Sequence, residues 1–179
     1  VYRGQVDVGL VELVKSTSQM NIAQQTSLDM TATHTIYGFS CGGIDLQLTF
    51  TSPLLLDDLD VLSRPVSYIH FKTKPNDGKP HEVQLFFGAS TALATNDPTQ
   101  SVVAEKSATS QLSFLKAGTQ SQPILEKKGD NLRIDWGYLY VATPNEAQAI
   151  QNVISTGEAR SDFEKGTLHP FQDNGKALV

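Results

Sequence analysis

The sequence predicts a mainly β chain: an antiparallel β-sandwich, with a large supersandwich-like version open, and one or two helices at the C-terminal end. Three observations carry this. Apolar residues alternate with polar ones along Ile44–Phe50, the period of a half-buried strand with one wet face. Strong turn signals, such as Cys41-Gly42-Gly43 and Pro75-Asn76-Asp77-Gly78, recur between short β-rich runs. Helical spacing appears only after Thr143, so no strand–helix–strand alternation points to a parallel sheet.

The elements follow in order. Val1–Val14 is rich in β-branched residues and reads as one or two short strands, and Leu28–Met30 starts another. Thr35–Phe50 is a hairpin, because two adjacent glycines supply the positive φ of a tight turn between two strand-forming runs. Ile44, Leu46, Leu48 and Phe50 share one face of it. Ser52-Pro53 ends the second strand. Leu54–Leu62, with Asp57, Asp58 and Asp60, is too acidic for a buried strand and reads as a loop with one helical turn. Arg64-Pro65 closes that corner. Val66–Thr73 and His81–Ala89 are expected to form a second hairpin around the Pro75–Gly78 turn.

Ser90–Ser101 reads as loop, Val102–Lys106 and Gln111–Leu115 as strands, Lys116–Gln122 as loop, Pro123–Glu126 as a short strand and Lys127–Asn131 as a turn. Leu132–Ala142 is expected to be one long strand, with Leu132, Ile134, Trp136, Tyr138 and Tyr140 on one face and Gly137 marking a bulge or a close backbone approach. Thr143-Pro144-Asn145-Glu146 has the capping-box pattern, which predicts a helix over Pro144–Ser155. Glu158–Lys165 reads as a second short helix ending at Gly166. These readings divide the chain into a β-sandwich domain at 1–142 and a helix with a C-terminal extension at 143–179.

Composition bounds the function. A chain of 179 residues with 39% hydrophobic content can bury a core without disulfides or metals. The net charge is −5, and Lys and Arg form no stripe, which argues against nucleic acid as a partner. No run of 18 apolar residues is present, so no membrane-inserted helix is expected. The start at Val1 and the end in GKALV read as those of a piece excised from a longer protein.

Motifs for chemistry are sparse. There is no phosphate-binding glycine loop and no GxSxG elbow. His34, His70, His81 and His169 form no HxH or HExxH, so no metal and no cofactor is expected, although His70 and His81 could approach across the second hairpin. Cys41 reads as an ordinary cysteine at a strand end. The acidic run at Asp57, Asp58 and Asp60 lacks the EF-hand pattern. No catalytic residue is assigned. Four residues remain as ligand or interface candidates. Asp135, Trp136 and Tyr138 lie in an aromatic run that could stack on a sugar or pack on a partner, against the plainer reading of an inward strand face. Arg64, before Pro65, is a second candidate, against the plainer reading that it braces its corner against Asp57, Asp58 or Asp60.

Several segments together carry a family resemblance: Thr35-Ile36-Tyr37, Leu48–Leu55 (LTFTSPLL), Asp58–Ile69 (DLDVLSRPVSYI), Asp77–Phe87 (DGKPHEVQLFF) and Leu125–Tyr140 (LEKKGDNLRIDWGYLY). In order and spacing this resembles the β-rich domain of uncharacterised function in the N-terminal half of glutaminase A-like proteins of bacteria and fungi. The matching segments spread over most of 33–142. The resemblance implies a module of a larger exported protein, hence a secreted or periplasmic location. It also implies a C-terminal (α/α) toroid as partner within the same polypeptide. Glutaminase activity, the hydrolysis of glutamine to glutamate and ammonia, would belong to that whole protein. Three functions follow in order: a non-catalytic accessory β-domain of a glutaminase A-like hydrolase, a carbohydrate-binding module, and a self-contained hydrolase using His70, His81 and nearby carboxylates. Glutamine or carbohydrate is the implied small-molecule partner.

Overall fold

The computed structural model describes residues 2–3, 21–130, 134–147 and 149–175. The chain divides into two compact units, Val1–Gln84 and Leu85–Val179. Each contains one four-stranded antiparallel sheet, so the mainly β, antiparallel expectation holds.

In the first unit β1 (Tyr2–Arg3) pairs in parallel with β2 (Asn21–Ile22). Residues 4–20, which hold the rest of the strand expectation for Val1–Val14, lie outside the described residues. The sheet runs in the order β3 (Gln24–Met30), β4 (His34–Cys41), β5 (Ile44–Thr51), β6 (Tyr68–Pro75). The expected Thr35–Phe50 hairpin is present, with Cys41 opposite Ile44 and only Gly42 and Gly43 between the strands. Their φ values of 55° and 88° are those of a two-residue turn whose twist matches its strands.

The register assembles one apolar face. Leu28 lies beside Tyr37, Tyr37 beside Leu48 and Leu48 beside Phe71, while Phe39, Leu46 and Phe50 extend the face along the strands. Phe39 is the best-buried ring, at 2% exposure, and Tyr37 packs against both Phe39 and Phe50. The opposite face carries Asp45, Gln47, Thr49, His70 and Lys72.

Between β5 and β6 the acidic run makes the expected single helical turn, α1 (Leu59–Ser63). Asp58 starts it, its carboxylate accepting the Val61 N–H at 3.0 Å. The second hairpin does not form. Residues 80–90 have no regular structure, and β6 has no partner on its outer side among the described residues. The turn is spent differently. Asn76 donates from its backbone to the Gly43 carbonyl at 2.8 Å and from its amide to Ser40 and Asp45. Asp77 accepts the Lys79 N–H and pairs with His81 at 2.9 Å. Asn76 ties the chain to the β4–β5 tip, and the local Asp77 bonds hold the segment that follows, instead of returning it along β6.

In the second unit a 3-10 turn (Thr91–Ala94) precedes β7 (Val102–Ala108), β8 (Leu112–Thr119), β9 (Leu139–Pro144), α2 (Thr156–Lys165) and β10 (Asn174–Gly175). The sheet order is β10-β7-β8-β9. β8 continues past its expected end at Leu115 because Ala117, Gly118 and Thr119 are small enough to be buried while paired to β7. On the inner face Val102, Ala104, Ala117 and Leu115 pack with Val153 to form the core.

Three expectations fail here. Pro123–Glu126 is not a strand, since Gln122 and Leu125 adopt φ values of 44° and 56°, which turn the chain. The long strand over Leu132–Ala142 shrinks to β9: residues 134–138 are irregular, and 131–133 lie outside the described residues. Among the described residues of Pro144–Ser155 the expected helix is absent, and residue 148 lies outside them. Pro144 instead ends β9 opposite Leu112. Asn145 bonds to Gln111, Thr109 and Ser113, so it secures the β7–β8 turn. Val153 and Ile154 are buried from an extended segment, while Ile150 is 76% exposed. That segment is held to the sheet through Gln151, whose side-chain amide donates to the Ser113 carbonyl and the Thr143 hydroxyl and whose backbone carbonyl accepts from Lys106.

The second predicted helix is the real one. Ser155 and Glu158 form its capping box, the glutamate accepting the Ser155 N–H at 3.3 Å and its hydroxyl at 2.5 Å. Gly166, at φ 64°, ends the helix in the left-handed region that glycine enters without a steric penalty.

Candidate functional site

Asp135, Trp136 and Tyr138 lie together between β8 and β9, whereas Arg64 lies in the other unit, exposed at the end of α1. Among the described residues no ion pair joins Arg64 to Asp57, Asp58 or Asp60. Its corner is closed by backbone bonds, Arg64 N–H to the Val61 carbonyl and Val66 N–H to the Arg64 carbonyl.

Asp135 is 3% exposed, and its Oδ2 accepts two hydrogen bonds. Lys127 donates to it at 2.7 Å and Gln100 at 2.9 Å. The Lys127 ammonium, then the Gln100 amide, hold its pKa below the ordinary carboxylate value against the opposing effect of burial. Thr119 adds a bond from its hydroxyl to the Asp135 carbonyl at 2.5 Å. Gln100 also accepts the N–H groups of Asn96 and Asp97, so Asp135 is linked to the preceding turn. This carboxylate fastens the irregular 134–138 segment to the unit.

Gly137 continues the fastening at φ 85°. Gln122 grips it from both sides, accepting its N–H at 2.7 Å and donating to its carbonyl at 3.1 Å. The close backbone approach expected at Gly137 is made to Gly118 of β8. A Cβ at position 118 would stand 2.6 Å from the Gly137 carbonyl oxygen and 2.7 Å from the Tyr138 ring.

The result is a presented aromatic surface. Trp136 is half-buried, but Tyr138 is 44% exposed and Tyr140 54%. Tyr140 is opposite Lys116 in the register, on the face away from the core. The Lys116 ammonium lies 4.2 Å from the Tyr138 ring centre, a cation–π contact, and pairs with Glu105 at 3.6 Å. Phe114 packs against Tyr140, and Tyr138 meets Tyr140 edge-on at 6.4 Å. The tyrosines therefore face outward, not inward as a strand core would require.

Sequence reasoning found Tyr138 but missed its setting. Gly118, Gln122, Lys116, Glu105, Gln100 and Lys127 reach this place from other elements, and no local pattern marks them.

The remaining candidates resolve simply. His81 is paired with Asp77 and is not on a strand, so it cannot meet His70 across a hairpin. Among the described residues no group of three His, Cys, Asp or Glu side chains is arranged to hold a metal. The Cys41 thiol is raised in pKa, first by burial and then by Asp45, so it favours the protonated form and is a poor nucleophile. Asp162 is buried at the end of α2, where it accepts bonds from Thr167, the His169 N–H and the His169 ring. Burial pushes its pKa up, but those bonds outweigh burial and leave it lowered.

Comparison with known proteins adds a name for the module. The chain is 26% identical over 124 residues to a glutaminase A of Aspergillus oryzae (strain ATCC 42149 / RIB 40), covering 68% of this chain but 18% of that protein. The chain thus spans less than a fifth of this curated relative. No solved structure matches it. Residues 33–177 match the family model of DUF5127, a domain of unknown function, and the chain belongs to that family.

Proposed function

We propose that this chain is a non-catalytic accessory β-domain of a glutaminase A-like hydrolase, packing on a C-terminal (α/α) toroid that carries the chemistry. The observation that supports this most is the proportion of the match: most of this chain aligns to a small part of a glutaminase A. The site residues agree with it. Asp135 is bonded to Lys127 and Gln100, and burial raises the pKa of the Cys41 thiol. A self-contained hydrolase would need an activated nucleophile or a paired acid and base; the His70–His81 pairing suggested for that role does not form. As part of such a protein the domain would be secreted or periplasmic.

The test is ammonia release from glutamine. The isolated chain is expected to give none, while the longer polypeptide that contains it turns glutamine over. Turnover by the isolated chain, or none by the longer polypeptide, overturns the reading.

A further inference from the structure

The geometry points to a binding site for a neutral glycan on the outward face of β8 and β9, with Tyr140 as the stacking ring and Tyr138, Lys116 and Glu105 around it. The proposal goes beyond the accessory-domain reading and does not depend on it.

The first argument is that the surface is built. Tyr138 projects from a glycine gripped by Gln122, and its ring rests where Gly118 leaves no side chain. Asp135, three residues earlier, is locked by Lys127 and Gln100. A tyrosine fixed by so many contacts and still 44% exposed is held in place for presentation. Tyr140, at 54% exposure, stands on a strand beside small, exposed Ala142, which leaves its ring approachable from that side.

The second argument concerns the occupant. An exposed tyrosine offers an apolar ring and a wet hydroxyl, which suits a ligand with a C–H face and polar edges. A pyranose ring has this chemistry. Charge selects further: Lys116 and Glu105 neutralise each other at 3.6 Å, so the strip complements an uncharged ligand rather than a phosphate or a polyanion. Both still offer hydrogen-bonding atoms at its rim. The strip also differs from the apolar face of the first unit, where Leu28, Met30 and Phe71 are exposed without interleaved charges.

The experiment is native affinity electrophoresis of the chain in gels containing galactomannan, laminarin or hydroxyethylcellulose, with polygalacturonate as the charged control. Retardation by at least one neutral polysaccharide, and not by polygalacturonate, is expected. Tyr140→Ala should weaken it about tenfold, the scale of one lost aromatic contact, with circular dichroism unchanged. No retardation in any gel, retardation only by polygalacturonate, or full binding by Tyr140→Ala overturns the proposal. So does protection of Tyr138 and Tyr140 from nitration in the longer polypeptide relative to the chain, because the strip would then be covered by protein. Glycan retention by the chain and ammonia release by the longer polypeptide are read in separate assays, so failure here is separable from failure of the accessory-domain reading.

Discussion

At the scale of single residues, the second unit depends on positions with little side chain of their own. Gly118 is the sharpest case, because the atom that opposes a Cβ there is a backbone carbonyl held by Gln122. A flexible side chain could swing away, but a gripped peptide cannot. Gly118→Ala is therefore expected to destabilise the chain by about 1–3 kcal/mol, the usual penalty of overpacking, and to shift Tyr138. Chemical denaturation reads the first effect and tyrosine near-ultraviolet circular dichroism the second. A Gly118→Ala chain as stable as the parent would mean that the 118–137 approach is slack. Little of this was legible beforehand. Asp135 and Tyr138 stand out in the sequence because they flank a tryptophan, but Gln100 lies 35 residues from Asp135, and a glutamine in a loop carries no local mark of its partner.

Individual elements show where local rules decide and where they yield. The β4–β5 hairpin was legible because its instructions are local: a glycine pair fixes the turn, and alternation fixes the face. Two capping-box patterns stand twelve residues apart, Thr143-to-Glu146 and Ser155-to-Glu158, and only the second starts a helix. The first is overridden because Thr143 and Pro144 complete β9 and Asn145 secures the neighbouring turn. The alternation of Val83, Leu85 and Phe87 was equally persuasive and equally insufficient, since Asn76 spends the preceding turn on the hairpin tip and Asp77 bonds locally to Lys79 and His81. For α2, whose sequence of small and charged residues offers modest intrinsic helicity, the cap carries weight. Ser155→Ala should cost about 1 kcal/mol and lower far-ultraviolet helical signal in parallel with thermal stability. Loss of neither would show that packing of Ala159 and Phe163 suffices.

Over the whole molecule the carboxylates act in concert. Asp77, Asp97, Asp135, Glu158 and Asp162 all have lowered pKa values, through His81, Thr99, Lys127, Ser155 and the bonds around His169 respectively. A group depressed on folding contributes stability that is complete above its unfolded pKa and is lost as pH falls through its folded one. Stability should thus hold from neutral pH down to the ordinary carboxylate range and decline below it. Asp135→Asn should be less stable at neutral pH and show a shallower acid decline, by urea denaturation across that range. An acid decline as steep as the parent's would remove Asp135 from the account. The outer margin of β6 has another consequence. Eight residues of backbone, Tyr68 to Pro75, stand there without a strand partner among the described residues, and Lys72, Lys74 and the closing proline lie along them. Charges and a proline on an edge strand oppose the addition of another strand. High salt, which screens the lysines, or acylation, which erases them, would turn that margin from a terminus into a template on which further copies could polymerise.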